Sequence, residues 1–119
     1  MQPFNKSENL IVKKTFDFSL KVIEYCEELE SRKKFIVSNQ LLKSATSIGA
    51  NVWEAQNAES KADFIHKFKI AAKEADETKY WTLLCKLSKN YPDPAILIEE
   101  LKSISKIITS IIATSKKSK

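Results

Sequence analysis

The sequence contains few residues that break helices. Its 119 residues include one glycine and three prolines. Turn-rich β folds need many such residues at tight turns, so their scarcity favours long helices over strands. The length suits a single domain, and a hydrophobic content of 43% with 29% charged residues is ordinary for a globular protein. We therefore expect one all-α domain spanning residues 1–119.

Residues that carry out catalysis or bind metals are also scarce. The chain has one histidine, His66, and two cysteines, Cys26 and Cys85, with no CxxC spacing. One histidine cannot supply the two Glu-x-x-His motifs of a di-iron bundle, and no glycine-rich phosphate loop is present. We predict that the cysteines are small buried apolar residues and that His66 is partly exposed. We expect a protein that is not an enzyme and needs neither cofactor nor metal.

Long apolar segments are missing as well. No uninterrupted apolar run approaches the roughly 20 residues that span a bilayer. The first five residues, MQPFN, lack the basic and apolar segments of a secretory signal. We therefore expect a cytoplasmic protein with reduced thiols and no membrane partner.

What the sequence does contain is a helical pattern in four segments. Apolar residues recur at spacings of three and four, as in Leu41, Ala45, Ile48 and Val52. The pattern predicts helices over about 7–30, 38–57, 60–89 and 93–115. Short joints force neighbouring helices to run antiparallel, so we predict an up-down-up-down four-helix bundle.

The helix ends carry recognisable signals. Ser60 is predicted to cap the third helix, with Asp63 in its first turn. Ser38 is the predicted cap of the second helix, after a crossing over residues 35–38. Asp93 is the predicted cap of the fourth helix, with Pro94 at its first position. We expect the last five residues to form a frayed basic tail.

Gly49, the lone glycine, lies inside the second helical pattern. A glycine there costs about 1 kcal/mol against alanine, so it needs a reason. One reason is close approach of another helix. The alternative is a turn in the SIGAN segment joining two short helices, as in helix-turn-helix DNA-binding proteins. The apolar period is unbroken through Gly49, which favours close approach.

The third helical pattern is apolar on more than one face. We expect this helix to be the most buried, or to contact both its own bundle and a partner subunit. Trp53, Tyr80, Trp81 and the isoleucine flank of the fourth helix exceed what one bundle needs. This surplus predicts self-association.

A set of polar residues lies beside these apolar stripes. We interpret it as a structural network that fixes helix register or a subunit interface, with a carboxylate metal site, a catalytic carboxylate pair or plain surface exposure as alternatives. Its members are Ser47, Asn51, Glu54, Glu74, Glu77 and Tyr80.

The chain is moderately basic, with a net charge of +5 and a pI near 9.2. In the predicted bundle, the first and third joints share one end, and the C-terminus lies at the other. Basic residues at these places are candidate nucleic-acid contacts, although solubilising surface charge is the alternative. The candidates are Arg32, Lys33, Lys34, Lys43, Lys86, Lys89, Lys116 and Lys117.

One long signature resembles a known bacterial family. It comprises SATSIGANV at 44–52, Glu54-Ala55, Ser60, ADFI at 62–65, Ile70-Ala71, Lys73-Glu74-Ala75, Glu77-Thr78 and Tyr80-Trp81. These residues resemble the four-helix-bundle proteins encoded in intervening sequences of 23S ribosomal RNA genes. That group is similar to the accessory variability determinant proteins of diversity-generating retroelements. Trp53 departs from the pattern, where a smaller residue is expected.

The resemblance implies a homopentameric barrel, and the retroelement proteins associate with nucleic acid and with a reverse transcriptase. Our leading hypothesis is a non-enzymatic homo-oligomer that binds RNA or DNA without strong sequence preference. The second hypothesis is a protein–protein scaffold that binds no nucleic acid. The third is an enzyme or metal protein that uses the glutamate-rich face.

Overall fold

The computed structural model describes residues 9–117, and these form four helices without a strand. The helices are α1 (Leu10–Ser31), α2 (Phe35–Ala55), α3 (Lys61–Leu87) and α4 (Ala95–Lys117). Each helix packs along the next one, and α4 also packs along α1, while the backbones of the described parts of the diagonal pairs stay apart. Short joints make successive helices antiparallel, so the predicted up-down-up-down four-helix bundle is confirmed.

The core is built from the predicted apolar stripes. In α2, Leu41, Ala45, Ile48 and Val52 are completely buried. Phe18 and Leu29 of α1, Phe68 of α3 and the isoleucines of α4 meet them in one cluster. Apolar side chains at helical spacing lie on one face of each helix, and the four apolar faces meet along the bundle axis. None of the helices in residues 9–117 has the length and apolar character needed to cross a membrane.

Helix α3 is not the most buried helix of the chain, contrary to one of the two expectations. Its buried positions form a single stripe that includes Phe68, Ala71 and Cys85. Its additional large apolar residues face outward, and Tyr80 and Leu87 are 58% and 80% exposed. The second apolar face of α3 is therefore not covered by its own chain.

The start of α2 differs from the prediction. The helix begins at Phe35, after the cap residue Lys34. Ser38 lies inside the helix and is buried, and its hydroxyl donates to the backbone oxygen of Cys26 at 3.3 Å. Ser38 has the chemistry of a cap, but this buried contact with α1 places it one turn into the helix.

The α1–α2 joint explains this early start. Lys33 has a φ of 62°, in the left-handed region that usually selects glycine. Its N–H donates to Glu30 at 2.8 Å, and the Lys34 N–H donates to Leu29 at 2.9 Å. These two bonds form a Schellman motif, which ends α1 and turns the chain directly into α2.

The other helix ends follow the sequence signals more closely. Ser60 caps α3 as predicted, accepting from the Asp63 N–H at 3.0 Å, while the Asp63 carboxylate accepts from the Glu59 N–H at 3.2 Å. Asp93 accepts from the Ala95 N–H at 3.0 Å. Helix α4 begins at Ala95, one residue later than expected, so Pro94 precedes it.

The two chain ends differ from the predicted helix limits. Asn9 caps α1 through the Val12 N–H, and the expected start near residue 7 lies outside the described residues. Helix α4 continues to Lys117, so residues 115–117 are helical and not a frayed tail. Ser118 and Lys119 lie outside the described residues.

Gly49 marks a close approach of α1 and α2, as predicted. Helix α2 runs unbroken through it, which excludes a helix-turn-helix at this segment. A Cβ atom at Gly49 would lie 3.3 Å from both the Ser19 hydroxyl oxygen and the Thr15 carbonyl oxygen. The absent side chain allows the backbones to meet. Next to this crossing, the ring of Trp53 packs 6.2 Å from the ring of Phe16.

Polar contacts fix the helices relative to one another. The Thr78 hydroxyl of α3 donates to the Ser44 hydroxyl of α2 at 2.9 Å, in the buried core. Lys21 of α1 pairs with Glu100 of α4, and this hydrogen bond raises the pKa of Lys21. Buried polar groups that find partners across helices favour one alignment over neighbouring ones.

Candidate nucleic-acid interface

The α1–α2 and α3–α4 joints contact each other at one end of the bundle. The Arg32 guanidinium donates to the backbone oxygen of Asn90 at 3.3 Å. The Lys34 ammonium lies 5.0 Å from the centre of the Tyr91 ring, as a cation–π contact. We call Arg32, Lys33, Lys34, Lys86 and Lys89 the basic pole.

The residues of the basic pole differ in how available their charge is. Arg32 pairs with Glu28 at 2.8 Å, and Lys34 is half-buried over its aromatic partner. Lys33, Lys86 and Lys89 are exposed and form no ion pair with residues in the described range. The first two residues therefore hold the joints together, and the last three are available to a ligand.

The remaining basic candidates lie elsewhere. Lys43 is exposed on α2, nine residues beyond Lys34, which is about 14 Å along the helix at 1.5 Å per residue. Lys116 and Lys117 occupy the last turn of α4, at the opposite end of the bundle, as predicted. These three residues do not join the basic pole.

A second basic feature lies between α3 and α4. A groove of about 310 Å³ is lined by Lys79 and Lys86 of α3 and by Lys102 and Lys106 of α4. We call it the lysine groove. Lys102 also lies 3.4 Å from Glu99, but both side chains are well exposed, so this pair is weak.

The floor of the lysine groove combines apolar and hydroxyl groups. Leu101, Ile98, Thr82 and Ser105 line the groove together with the lysines, and the buried Thr82 hydroxyl donates to the backbone oxygen of Lys79. Lys73 lines the adjoining stretch of the same α3–α4 cleft, together with Asp76. Lys86 belongs to both the groove and the basic pole, so the two features form one positive surface.

Sequence reasoning missed Lys79, Lys102 and Lys106. They lie on two helices, each at the edge of an apolar stripe, and only the pairing of α3 with α4 brings them together. One signal was present, since Lys79 and Lys86 are seven residues apart and Lys102 and Lys106 are four apart. Such spacings place each pair on one helix face.

The α2 members of the predicted polar network bond locally or to a lysine. The Asn51 amide donates to the backbone oxygen of Ser47 at 2.8 Å. The Ser47 hydroxyl donates to the backbone oxygen of Lys43 at 2.8 Å. Glu54 pairs with Lys67 of α3 at 3.0 Å. These side chains are thus occupied within α2 or by a surface ion pair.

The α3 members behave in the same way. Glu77 accepts from the indole N–H of Trp81 at 3.1 Å, and the Tyr80 ring stands edge-on to the Trp81 ring at 5.1 Å. In the described part of the chain, Glu74 contributes its backbone oxygen, which lies 2.8 Å from the Thr78 hydroxyl. In the described residues no hydrogen bond joins the side chain of one member to the side chain of another, and Asn51 reaches only the backbone of Ser47. The network, and its role at a subunit interface, stays a prediction.

Other chemistry finds little support in residues 9–117. No group of three or more His, Cys, Asp or Glu side chains is arranged to hold a metal ion. Cys26 and Cys85 are free and buried, as predicted. Burial raises the pKa of the Cys26 thiol to about 11 and also raises that of Cys85. Both thiols are therefore protonated at neutral pH and are poor nucleophiles. His66 is exposed on α3.

Comparison with known proteins gives the family. No curated protein matches this sequence. The chain is 37% identical to a protein of unknown function from the S23 ribosomal protein family of Bacteroides thetaiotaomicron, known from a crystal structure. The match covers 86% of this chain and 97% of that chain, with a TM-score of 0.81. The family model described as 23S rRNA-intervening sequence protein matches residues 7–110. The chain therefore belongs to the family of 23S rRNA-intervening sequence proteins.

Proposed function

We propose that this protein is a non-enzymatic, self-associating bundle that binds the phosphate backbone of RNA or DNA through its lysine groove and basic pole. The observation that carries the proposal is the convergence of four lysines from two helices on one groove. Lysine ammonium groups bind phosphates as point charges without reading bases, so binding would show little sequence preference.

The dimensions of the groove fit a nucleic-acid strand. Lys79 and Lys86 are seven residues apart, which is about 10 Å along α3. One strand of duplex DNA carries a charge every 3.4 Å or so along the axis, so roughly three phosphates would lie over that length. The exposed lysines of the basic pole, Lys33 and Lys89, extend the surface beyond Lys86.

Self-association would strengthen such binding. The family resemblance implies a ring of five copies, and five chains of 13.6 kDa would give a particle of about 68 kDa. Several lysine grooves in one particle would engage a long nucleic acid together, which raises its apparent affinity. A cytoplasmic location is part of the proposal, because both cysteines are free and buried thiols, which suits a reducing compartment.

The test is a titration of labelled 20-nucleotide RNA and DNA, followed by fluorescence anisotropy at several salt concentrations. If all four groove lysines meet phosphates, the logarithm of affinity should fall against the logarithm of salt with a slope of about −3.6 for duplex DNA and −2.8 for single strands. The groove variant Lys102→Gln/Lys106→Gln should reduce the steepness of the duplex slope by about 1.8.

A matched control removes the same charge elsewhere. Lys13 and Lys69 are exposed and lie outside both the lysine groove and the basic pole. Lys13→Gln/Lys69→Gln should leave the slope within about 0.5 of the wild-type value. Failure of the wild-type protein to bind at low salt would refute nucleic-acid binding. An equal loss in the control would show that the groove is not the site.

A protein–protein scaffold is the second candidate, because large apolar side chains stay exposed on α3 and α1. Under that function, the anisotropy titration shows no binding, while the particle mass remains a multiple of 13.6 kDa. The anisotropy titration therefore separates the two functions, because both predict an oligomer.

A further inference from the structure

Helix α3 carries an apolar ridge that its own chain leaves uncovered. Tyr80, Leu84 and Leu87 follow one another at i, i+4 and i+7, which places them along one face of the helix. Their exposures are 58%, 37% and 80%. We call these three residues the α3 ridge. Side chains of this size at this spacing are typical of a helix that inserts into a groove on a partner.

A concave apolar surface lies between α1 and α2. It encloses about 350 Å³, and Phe16 and Trp53 form its aromatic part, with Gly49 and Ala50 between the helices. Because Gly49 and Ala50 are small, the space between the two helices stays open. Leu20 and Ile23 continue the Phe16 face along α1 at i+4 and i+7, and both are substantially exposed. We call this surface the α1–α2 groove.

The chain cannot place its own ridge in its own groove. Helices α1 and α3 are diagonal in the bundle, so their backbones stay apart and their side chains meet in the core, as at Tyr25 and Cys85. The outer face of α3 and the α1–α2 groove therefore lie on different sides of the molecule. A ridge and a groove on different sides match the two halves of a head-to-tail contact between copies.

The surrounding charges agree with this pairing. Lys73, Lys79 and Lys86 border the ridge, against two acidic residues, Asp76 and Glu77, in the turn before Tyr80. Beside the α1–α2 groove, Glu24 and Glu27 are exposed near Ile23, against Lys43 two turns before Ala50, and Glu54 is already paired with Lys67 of its own chain. A basic border on the ridge and acidic residues beside the groove would favour ridge against groove over ridge against ridge.

We propose that the α3 ridge of one copy packs into the α1–α2 groove of the next copy. The inference rests on the self-association in the proposed function and names the two surfaces that produce it. A contact between unlike surfaces repeats from copy to copy and closes into a ring when the rotation between copies allows it.

Two variants test the pairing without changing any charge. The groove variant is Leu20→Gln/Ile23→Gln/Ala50→Gln, and the ridge variant is Tyr80→Gln/Leu84→Gln/Leu87→Gln. Glutamine is a good helix former, and four of the six sites are at least 40% exposed, so both variants should remain helical by circular dichroism. The control variant Leu10→Gln/Ile96→Gln changes two equally exposed residues outside both surfaces.

The readout is particle mass by light scattering after size exclusion. Each variant alone should be a monomer of 13.6 kDa, and the control should keep the wild-type mass. Mixing the two variants should restore one contact, since one supplies an intact ridge and the other an intact groove. The mixture should therefore give a 1:1 dimer of about 27 kDa, twice the 13.6 kDa chain mass.

The other outcomes overturn the inference in distinguishable ways. A groove variant or a ridge variant that still associates would show that the altered surface is not needed for self-association, which rejects the pairing. An oligomeric wild type whose variants stay monomeric when mixed would reject the pairing while self-association stands. A monomeric wild type would reject self-association itself. Nucleic-acid binding is read separately by anisotropy, because neither variant alters a lysine.

Discussion

The buried hydroxyl pair between α2 and α3 allows a quantitative test of how the central helices are held. Thr78 donates to Ser44 at 2.9 Å, and its hydroxyl is also placed 2.8 Å from the backbone oxygen of Glu74. Within residues 9–117, the other partner of Ser44 is the backbone oxygen of Leu41 at 3.4 Å. Both side chains are at most 1% exposed, so water cannot replace a lost partner.

Removing the Thr78 hydroxyl should lower the free energy of unfolding more than removing the Ser44 hydroxyl. Thr78→Val keeps the shape of the side chain but leaves the Ser44 oxygen without its donor, so we expect a loss of about 1–2 kcal/mol in the free energy of unfolding. Ser44→Ala should cost about 0.5–1 kcal/mol, because the single Thr78 hydroxyl proton then turns to the backbone oxygen of Glu74 within α3. The double variant should cost about as much as Thr78→Val alone, since no buried oxygen is then left without a partner.

The assay is urea unfolding followed by circular dichroism at one fixed protein concentration, because self-association would shift the midpoint. The predicted coupling between the two sites is about 0.5–1 kcal/mol. The exposed pair Thr109→Val and Ser110→Ala on α4 is the control, and each change there should stay within about 0.5 kcal/mol. Strictly additive costs at Ser44 and Thr78 would refute the reasoning.

Three further predictions follow from local geometry. The Lys33→Gly variant should have a free energy of unfolding about 0.5–1 kcal/mol higher than the Lys33→Ala variant. Both changes remove the charge, but only glycine adopts the left-handed φ of 62° without strain. Equal free energies of unfolding would contradict this. Gly49→Leu should lower the free energy of unfolding in urea by more than about 2 kcal/mol, because the α1 backbone lies 3.3 Å from the new Cβ. The control Ala113→Leu, on an exposed face of α4, should change it little. Both cysteines should resist a thiol reagent at pH 8 until the protein is denatured, and stability should fall as the pH rises from about 9 to 11. The raised Cys26 pKa of about 11 means that the unfolded chain loses that proton first; rapid native labelling would show that the thiols are accessible.

The sequence predicted the number and direction of the helices because apolar spacing is a local property. Each of Leu41, Ile48 and Val52 is fully buried, as the period required. The cap at Ser60 was also predictable, since a serine hydroxyl reaches its own helix terminus. The cap at Ser38 was not, because the same side chain was needed inside the core against Cys26.

The candidate site was only partly visible in the sequence. Adjacent lysines at 33 and 34 were easy to find, and the antiparallel topology placed them beside the α3–α4 joint. Lys79, Lys102 and Lys106 were missed, because they become neighbours only when α3 and α4 pack side by side. The polar set stays a prediction, since in one chain Ser47 and Asn51 bond within α2 and a subunit interface is not visible in the sequence.

The sequence by itself determined which residues are helical and which face of each helix is apolar, because both depend on the 3.6-residue repeat and on side-chain chemistry. Only the tertiary structure decided which faces meet and which stay open. Leu84 and Phe68 are both apolar residues of α3, yet Phe68 is buried and Leu84 is 37% exposed. The reason is that burial depends on the helix lying opposite, and that neighbour is set by the packing of the whole bundle.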